Sequence, residues 1–219
     1  MINTKQRLLR IFRLLLASFG KRYWWPGESQ LEIAVGAILT QNTSWKNVEK
    51  AIDNLKKKRL LDVKRLYEID TARLSGIIKP AGFFNIKALR LKNFIQVIYE
   101  KHSAAMQDLA ELDMDSLRKL LLGINGIGCE TADSIILYAF NKPIFVVDAY
   151  SKRFLKHHKL YDGNTDYHDI QRFFMENLPN DTYLFNEFHA LIVYLCQHYC
   201  KKIPQCGKCP LKNEPGINS

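Results

Sequence analysis

Apolar side chains recur along this chain at the spacing of helices, about 3.6 residues per turn. Leu8, Leu9, Phe12, Leu15 and Leu16 form the first such stripe. LEIAVGAILTQ, NVEKAIDNLKKK, DTARLSGII and NIKALRLKNFIQVIYEKH continue the pattern, with NTSW and PAGFF as breaks. DMDSLRKLLLG, CETADSIILYAFN, DAYSKRFLKHH, YHDIQRFFMENL and DTYLFNEFHALIVYLCQHYC follow. The one strand-like run, IFVV at 144–147, is equally a buried lead-in to the next helix. Many short helices with short connections predict a compact all-α protein. Arg7, Arg10 and Arg13 interrupt the first apolar stretch at helical spacing, so it reads as an amphipathic helix and not as a signal peptide. The apolar runs fall far short of the roughly 20 residues that span a bilayer, and no membrane partner is expected.

Composition narrows the picture. Of 219 residues, 47% are hydrophobic, enough for a core and too many for a disordered chain. The net charge of +10 suits a polyanion, nucleic acid ahead of an anionic membrane, although a basic protein without such a partner fits it too. Of the five cysteines, Cys129 stands alone and Cys196, Cys200, Cys206 and Cys209 crowd together. A disulfide scaffold spreads its cysteines; this clustering suits metal or cluster ligation in a reducing compartment. The expected location is therefore cytoplasmic, with the nucleoid as the site in a prokaryote.

Two segments carry candidate chemistry. In LLGINGIGCETADSIILYA (121–139) one helix ends at Gly123 and another starts beyond Gly128. Gly126 and Gly128 allow positive φ and close approach, and the following helix N-terminus suits a phosphate. An ordinary helix–helix connection would look similar. In PIFVVDAYSKRF (143–154), Asp148 stands between an apolar run and a helix. There an Asp is first of all an N-cap, though a cap can also do chemistry. Lys152, Arg153 and Lys156 follow, within reach of phosphates.

G-I-G, a helix, and then V-V-D resemble the helix-hairpin-helix DNA glycosylases, in particular the endonuclease III-like superfamily. GAILTQNTSWKNV (36–48) is similar to that family's second-helix segment, and the resemblance gives Gln41, beside Asn42, the place vacated by a flipped nucleotide. GFFNIKA (82–88) resembles its G-x-[YF]-N-x-K-A segment, which puts Asn85 and Lys87 among the DNA-binding residues with Gly123, Gly126, Gly128 and Lys152. His189 and the cysteine tail also occupy family positions. The resemblance implies an alkali cation at the hairpin.

Three departures from the family pattern shape the expected function. The lyase members place a nucleophilic lysine where this chain has Glu130, and a glutamate cannot form a Schiff base. Asp148 would then stabilise an oxocarbenium-like sugar or activate water. Trp24, Trp25 and Pro26, with Trp45, resemble the monofunctional 3-methyladenine DNA glycosylase branch, whose aromatics sandwich an alkylated base. A cationic purine stacks well on indole. Two adjacent Trp on one helical turn cannot both face a core, which weighs against a purely packing role. Finally, the cysteines read C-x3-C-x5-C-x2-C, and alignment of the last three with the family's first three ligands leaves Pro215 at the fourth place. Cys196, one helical turn before Cys200, is the substitute fourth ligand of a structural [4Fe–4S] cluster, with zinc as the alternative. Cys196 as a bystander stays open. His157 and His158 read as charge at a helix end.

The expectation is thus an all-α protein of two helical lobes with a cleft between them. A central lobe (28–140) carries the hairpin at 121–139. The second lobe (1–27 with 141–219) carries the cysteine cluster at 196–209. The expected activity is monofunctional excision of a damaged base, notably 3-methyladenine, from double-stranded DNA by a monomer. Uracil or thymine mismatch excision, or a non-catalytic DNA-binding hairpin, are the alternatives.

Overall fold

The computed structural model describes residues 3–214, in which twelve α-helices and no strand occur. The chain divides into two compact units: a hairpin unit, Trp25–Lys142, and a terminal unit, Met1–Trp24 with Pro143–Ser219. No helix among the described residues is long and apolar enough to cross a membrane.

The terminal unit begins with α1 (Thr4–Phe19), whose first turn is closed by the Asn3 side chain accepting from Gln6 N at 2.8 Å. Its buried face is Leu8, Ile11 and Leu15, rotated slightly from the predicted stripe because Leu9, Phe12 and Leu16 are only half-buried.

The hairpin unit holds α2 (Gln30–Leu39), α3 (Trp45–Lys57), α4 (Val63–Glu68), α5 (Thr71–Ile77), α6 (Phe84–Lys101), α7 (Met106–Ala110), α8 (Met114–Leu122) and α9 (Cys129–Ser134). Helix α2 is apolar on nearly every face and, apart from half-buried Ile33, buried from Leu31 to Leu39, so it forms the centre that the others cover. Asp62, Asp70 and Asp113 cap α4, α5 and α8 through side-chain bonds to first-turn amides. Helix α9 runs on as a π turn, Ile135–Ala139, every residue of which is buried.

Lys87 corrects one expectation. It was assigned to DNA, yet it is 1% exposed, and its ammonium donates to Leu39 O at 2.8 Å and Ala81 O at 2.7 Å. It satisfies the carbonyls at the end of α2 and at the turn before α6, which ties those elements together. Burial, then the nearby Arg90 charge, lowers its pKa to about 8.

The terminal unit resumes with α10 (Ala149–His157), α11 (Tyr167–Asn177) and α12 (Thr182–His198). IFVV is neither helix nor strand; it is a buried extended lead-in to α10. Phe145 stacks on Phe174 at 3.9 Å and meets Phe185 edge-on at 5.8 Å. Gln171 donates to the buried Phe145 carbonyl at 2.7 Å, so this irregular segment does not leave that acceptor unpaired. At the end of the described chain, buried Glu214 takes Arg7 at 3.2 Å and Arg10 at 2.6 Å, fastening the cysteine-rich tail to α1. Pro215, the family's fourth ligand place, lies outside the described residues.

Candidate nucleic-acid interface and catalytic carboxylate

In the hairpin unit, α8 stops at Gly123 and Ile127 N closes a turn on Ile124 O at 3.0 Å. Gly126 has φ +95°, and a Cβ there would lie 2.2 Å from Arg90 Cγ, so any other residue would be strained and would have to displace the Arg90 side chain. Gly128 differs from expectation. Its φ is −93°, in the extended region, and its α-carbon faces open space. It caps α9 without any side-chain bond, so no side-chain oxygen of the cap occupies the first turn. Arg118 on α8 clasps Asp133 on α9 with two bonds, 2.7 and 3.2 Å, and Asp133 is fully buried. That pair holds the two hairpin helices in register.

Gln41 follows α2 and is bound to the same hairpin. Its amide donates to Gly126 O at 3.1 Å and Thr131 Oγ1 at 2.9 Å, and its carbonyl accepts from Arg90. Asn42 beside it is exposed with φ +54°. Asn85 is exposed and accepts from Ser75 Oγ at 2.5 Å. The sequence reading passed over Phe83. It is 70% exposed and held at φ +45° at the start of α6. An aromatic presented to solvent on left-handed backbone has the size and polarity to insert between bases. Its one sequence signal is the Phe83–Phe84 pair after Gly82, which periodicity treats as a break.

The aromatic residues are partly brought together. Trp25 meets Trp45 edge-on at 4.9 Å and Tyr138 at 5.0 Å. Trp24 and Trp25 lie in a non-helical stretch, which removes the helical-turn argument, and Trp24 belongs to the terminal unit. Pro26 and Trp45 line a pocket of about 310 Å³ walled by Glu28, Glu32, Glu49 and Asp53. Lys56 bridges Glu28 at 3.0 Å and Glu32 at 2.8 Å, and Trp45 Nε1 donates to Glu49 at 2.8 Å. Glu130 is exposed in the first turn of α9.

In the terminal unit, Asp148 is the N-cap of α10. Oδ1 accepts from Ser151 N at 2.7 Å and Ser151 Oγ at 3.0 Å, while Oδ2 lies 3.5 Å from His189 Nε2 on α12. Burial pushes this carboxyl up, but the His189 charge and the Ser151 bonds outweigh it and hold it below the ordinary carboxylate range. A fixed anion with one oxygen committed to the helix and the other toward an imidazole can stabilise a cationic sugar or take a proton from water. Lys152 is exposed one turn on. Arg153, expected at a phosphate, instead donates to Cys200 O at 2.8 Å and Cys196 O at 3.1 Å, capping the end of α12.

The cysteines surround a second feature of this unit. Cys200, Cys206 and Cys209 line a cavity of about 150 Å³ with His157, His158, Tyr199 and Pro204. Cys196 does not line it; its thiol is buried and points to Tyr150 O at 3.6 Å. His157 Nδ1 is 3.2 Å from Cys200 Sγ. A hydrogen bond from Cys196 lowers Cys200 to about 4, against burial and aided by His158 and His157. Leu211 N donates to Cys209 Sγ at 3.4 Å. All are free thiols. Among the described residues no three His, Cys, Asp or Glu side chains converge on a point as a single ion requires. The donors surround a space instead. Three thiols and two imidazoles around a cavity fit a soft group with volume, such as an iron–sulfur cluster.

Comparison with known proteins agrees with this layout. Over residues 35–180 the chain matches the model of the HhH-GPD superfamily base excision DNA repair proteins. A Methanocaldococcus jannaschii protein named as a DNA repair glycosylase is 45% identical over 212 residues, covering 96% of each chain. The H. pylori 3-methyladenine DNA glycosylase, solved with 1,N6-ethenoadenine, is 31% identical with a TM-score of 0.75, over 87% of this chain and 95% of that one. An endonuclease III–DNA complex shares the fold at a TM-score of 0.81 and 20% identity, covering 97% and 95%. The hairpin clasp, the capping aspartate and this match over two thirds of the sequence place the chain in the HhH-GPD superfamily of base excision DNA repair proteins.

Proposed function

We propose that this DNA glycosylase is monofunctional and hydrolytically excises an alkylated purine such as 3-methyladenine. The observation that carries the reading is the Asp148 carboxylate, kept ionised by His189 and Ser151 at the head of α10. In that state it can stabilise an oxocarbenium-like sugar and activate water. Glu130 stands at the place of the family's lyase lysine, so no amine is supplied there for a Schiff base. The indoles Trp25 and Trp45, with acidic groups around Trp45, suit a cationic purine. The relative that is 31% identical is named for 3-methyladenine. The hairpin and Gln41 would engage the DNA backbone and the gap left by a flipped nucleotide.

Cys200, Cys206 and Cys209 would hold a [4Fe–4S] cluster, or zinc in its place. Such a group would supply a structural cross-link, since hydrolysis of a glycosidic bond transfers no electrons. The loop thus fixed presents exposed Lys201, Lys202 and Lys208 to phosphates.

The test is a release assay on duplexes carrying 3-methyladenine, uracil or a T·G mismatch, with borohydride added in parallel. Release from the alkylated duplex alone, leaving an intact abasic site and no trapped complex, is expected. Strand cleavage with efficient trapping would refute the monofunctional reading. Release from uracil or T·G duplexes instead would refute the substrate. DNA binding with no release from any duplex would leave a binding module.

A further inference from the structure

The thiol cavity is lined by three cysteines, not four, and the side chains that close the rest of its wall include two histidines from the end of α10. His157 reaches the cavity with Nδ1 3.2 Å from Cys200 Sγ. His158 is buried beside it, 3% exposed, its ring 4.8 Å from Phe154, and its Nδ1 has no hydrogen-bond partner. A buried imidazole nitrogen without a partner is costly unless a ligand or water completes it. Cys196 does not line the cavity. Its thiol is buried between the Tyr150 carbonyl, 3.6 Å away, and the Cys200 thiol, so rotation into the cavity would give up the Tyr150 contact.

We infer that the cofactor site is a Cys3His site, with Cys200, Cys206, Cys209 and His157 as its four protein ligands. Cys196 is then a hydrogen-bonding neighbour of Cys200, and buried His158 is a second imidazole in the wall that is not a ligand. The inference deepens the reading of a metal group at these cysteines and depends on it. The chemistry is consistent: a neutral imidazole is a good borderline donor for iron and zinc and accepts the place of a thiolate. A His ligand on one iron raises the potential of an iron–sulfur centre, as in clusters with mixed thiolate and imidazole ligation. In zinc form the same four donors would have to draw together around the ion, as a closed four-ligand site requires.

The experiment uses the full chain, produced anaerobically and reconstituted either with ferrous iron and sulfide or with zinc alone. Iron, sulfide and zinc are counted per chain, and the iron form is reduced for pulsed EPR after growth with ¹⁵N-histidine. Wild type is expected to show a hyperfine coupling from directly bound ¹⁵N. His157→Ala should lose that coupling and most of its iron. His157→Cys should keep the iron, lose the nitrogen coupling and shift the reduction potential downward. Cys196→Ala should keep both the iron and the coupling, with circular dichroism confirming that each variant is folded. In the zinc form, X-ray absorption should give three sulfurs and one nitrogen. A bleached Cys196→Ala beside a fully loaded His157→Ala would overturn the assignment in favour of Cys196. A loaded wild type without nitrogen coupling would overturn it equally. A wild type that binds neither iron nor zinc would overturn the metal reading itself, which distinguishes the two failures.

Discussion

Helices α9 and α10 each begin at a position to which the proposed function gives a role, and they begin in opposite ways. At α9 the cap is Gly128, which offers no side-chain acceptor and faces open space. At α10 the cap is Asp148, whose Oδ1 takes both donors of Ser151. A helix N-terminus carries about half a positive charge from its aligned peptide dipoles. One end has no side-chain cap of its own; the other is capped by its own carboxylate. The difference teaches how a single physical feature serves two ends. The glycine cap leaves room at the head of α9, which the proposed function assigns to phosphate. The aspartate cap, with the His189 charge beside it and two bonds from Ser151, stays charged in a half-buried place.

The largest expected effect comes from removing the fixed charge. Asp148→Asn keeps a capping oxygen, so the fold and DNA binding should persist, while excision of 3-methyladenine falls by about 10²–10⁴. Single-turnover release measures it; a rate close to wild type would reduce Asp148 to a cap. The same carboxyl gives a signed pH dependence. Its folded pKa is depressed, because the His189 charge and the Ser151 bonds outweigh burial. Its contribution to stability is therefore fully present above the unfolded value of about 3.9 and is lost as pH falls through the lower folded value. A ¹³C titration of Asp148 should show a midpoint below the ordinary range, and His189→Gln should move it upward.

The next effect tests whether the α9 end is built in advance. Asp133→Asn leaves Arg118 without its buried partner and should cost about 3–5 kcal/mol in urea unfolding, toward the low end because Arg118 retains some solvent. The double variant Arg118→Met with Asp133→Leu should lose less, since no charge is then left unpaired. Equal losses would show that the pair contributes packing alone.

How far the sequence discloses these sites depends on what each residue answers to. The helices were legible because their burial follows a local period, as on α3 with Val48, Ala51, Ile52 and Leu55. The hairpin was legible because glycines punctuate it, yet Gly126 and Gly128 look alike in sequence and only Gly126 is forced, by the Arg90 stem that crosses it. The resemblance of GFFNIKA to a family segment points Lys87 toward DNA, and charge beside Asp148 points Arg153 toward phosphate, whereas both serve carbonyls near helix ends. His157 and His158 looked like helix-end charge because nothing local says that the cysteine tail returns to them.

A smaller effect is expected at Gly126. An alanine there must hold φ near +95° and place a Cβ 2.2 Å from Arg90 Cγ. Arg90 is the flexible partner and will shift, so the cost should be about 1–3 kcal/mol rather than loss of the fold. Its displacement also disturbs the bond to Gln41. Gly126→Ala should therefore weaken duplex binding beyond its loss of stability, read by titration at a temperature where the variant is fully folded. Binding equal to wild type would separate the Arg90–Gln41 contact from DNA recognition.

The smallest change bears most directly on the two helix ends: Gly128→Asp gives α9 the cap that α10 already has. The backbone at φ −93° accepts any residue, and the added Cβ meets nothing within 4 Å, so no strain enters. Exchange of glycine for aspartate at an N-cap is worth only a few tenths of a kcal/mol, and thermal unfolding should rise by a degree or two at about that gain. Duplex affinity should move the other way, by about threefold to tenfold, because the new carboxylate competes for the first-turn amides and repels phosphate, an effect on the order of 1 kcal/mol. Gly128→Ala supplies the control, since it adds the same Cβ without charge or acceptor. It should bind DNA almost as wild type does and be slightly less stable than Gly128→Asp. Single-turnover excision at saturating DNA should stay close to wild type in both, as Asp148 is untouched. If Gly128→Asp gains stability and binds duplex as tightly as wild type across a salt series, the α9 terminus receives no phosphate, and the contrast between the two caps is one of helix capping alone.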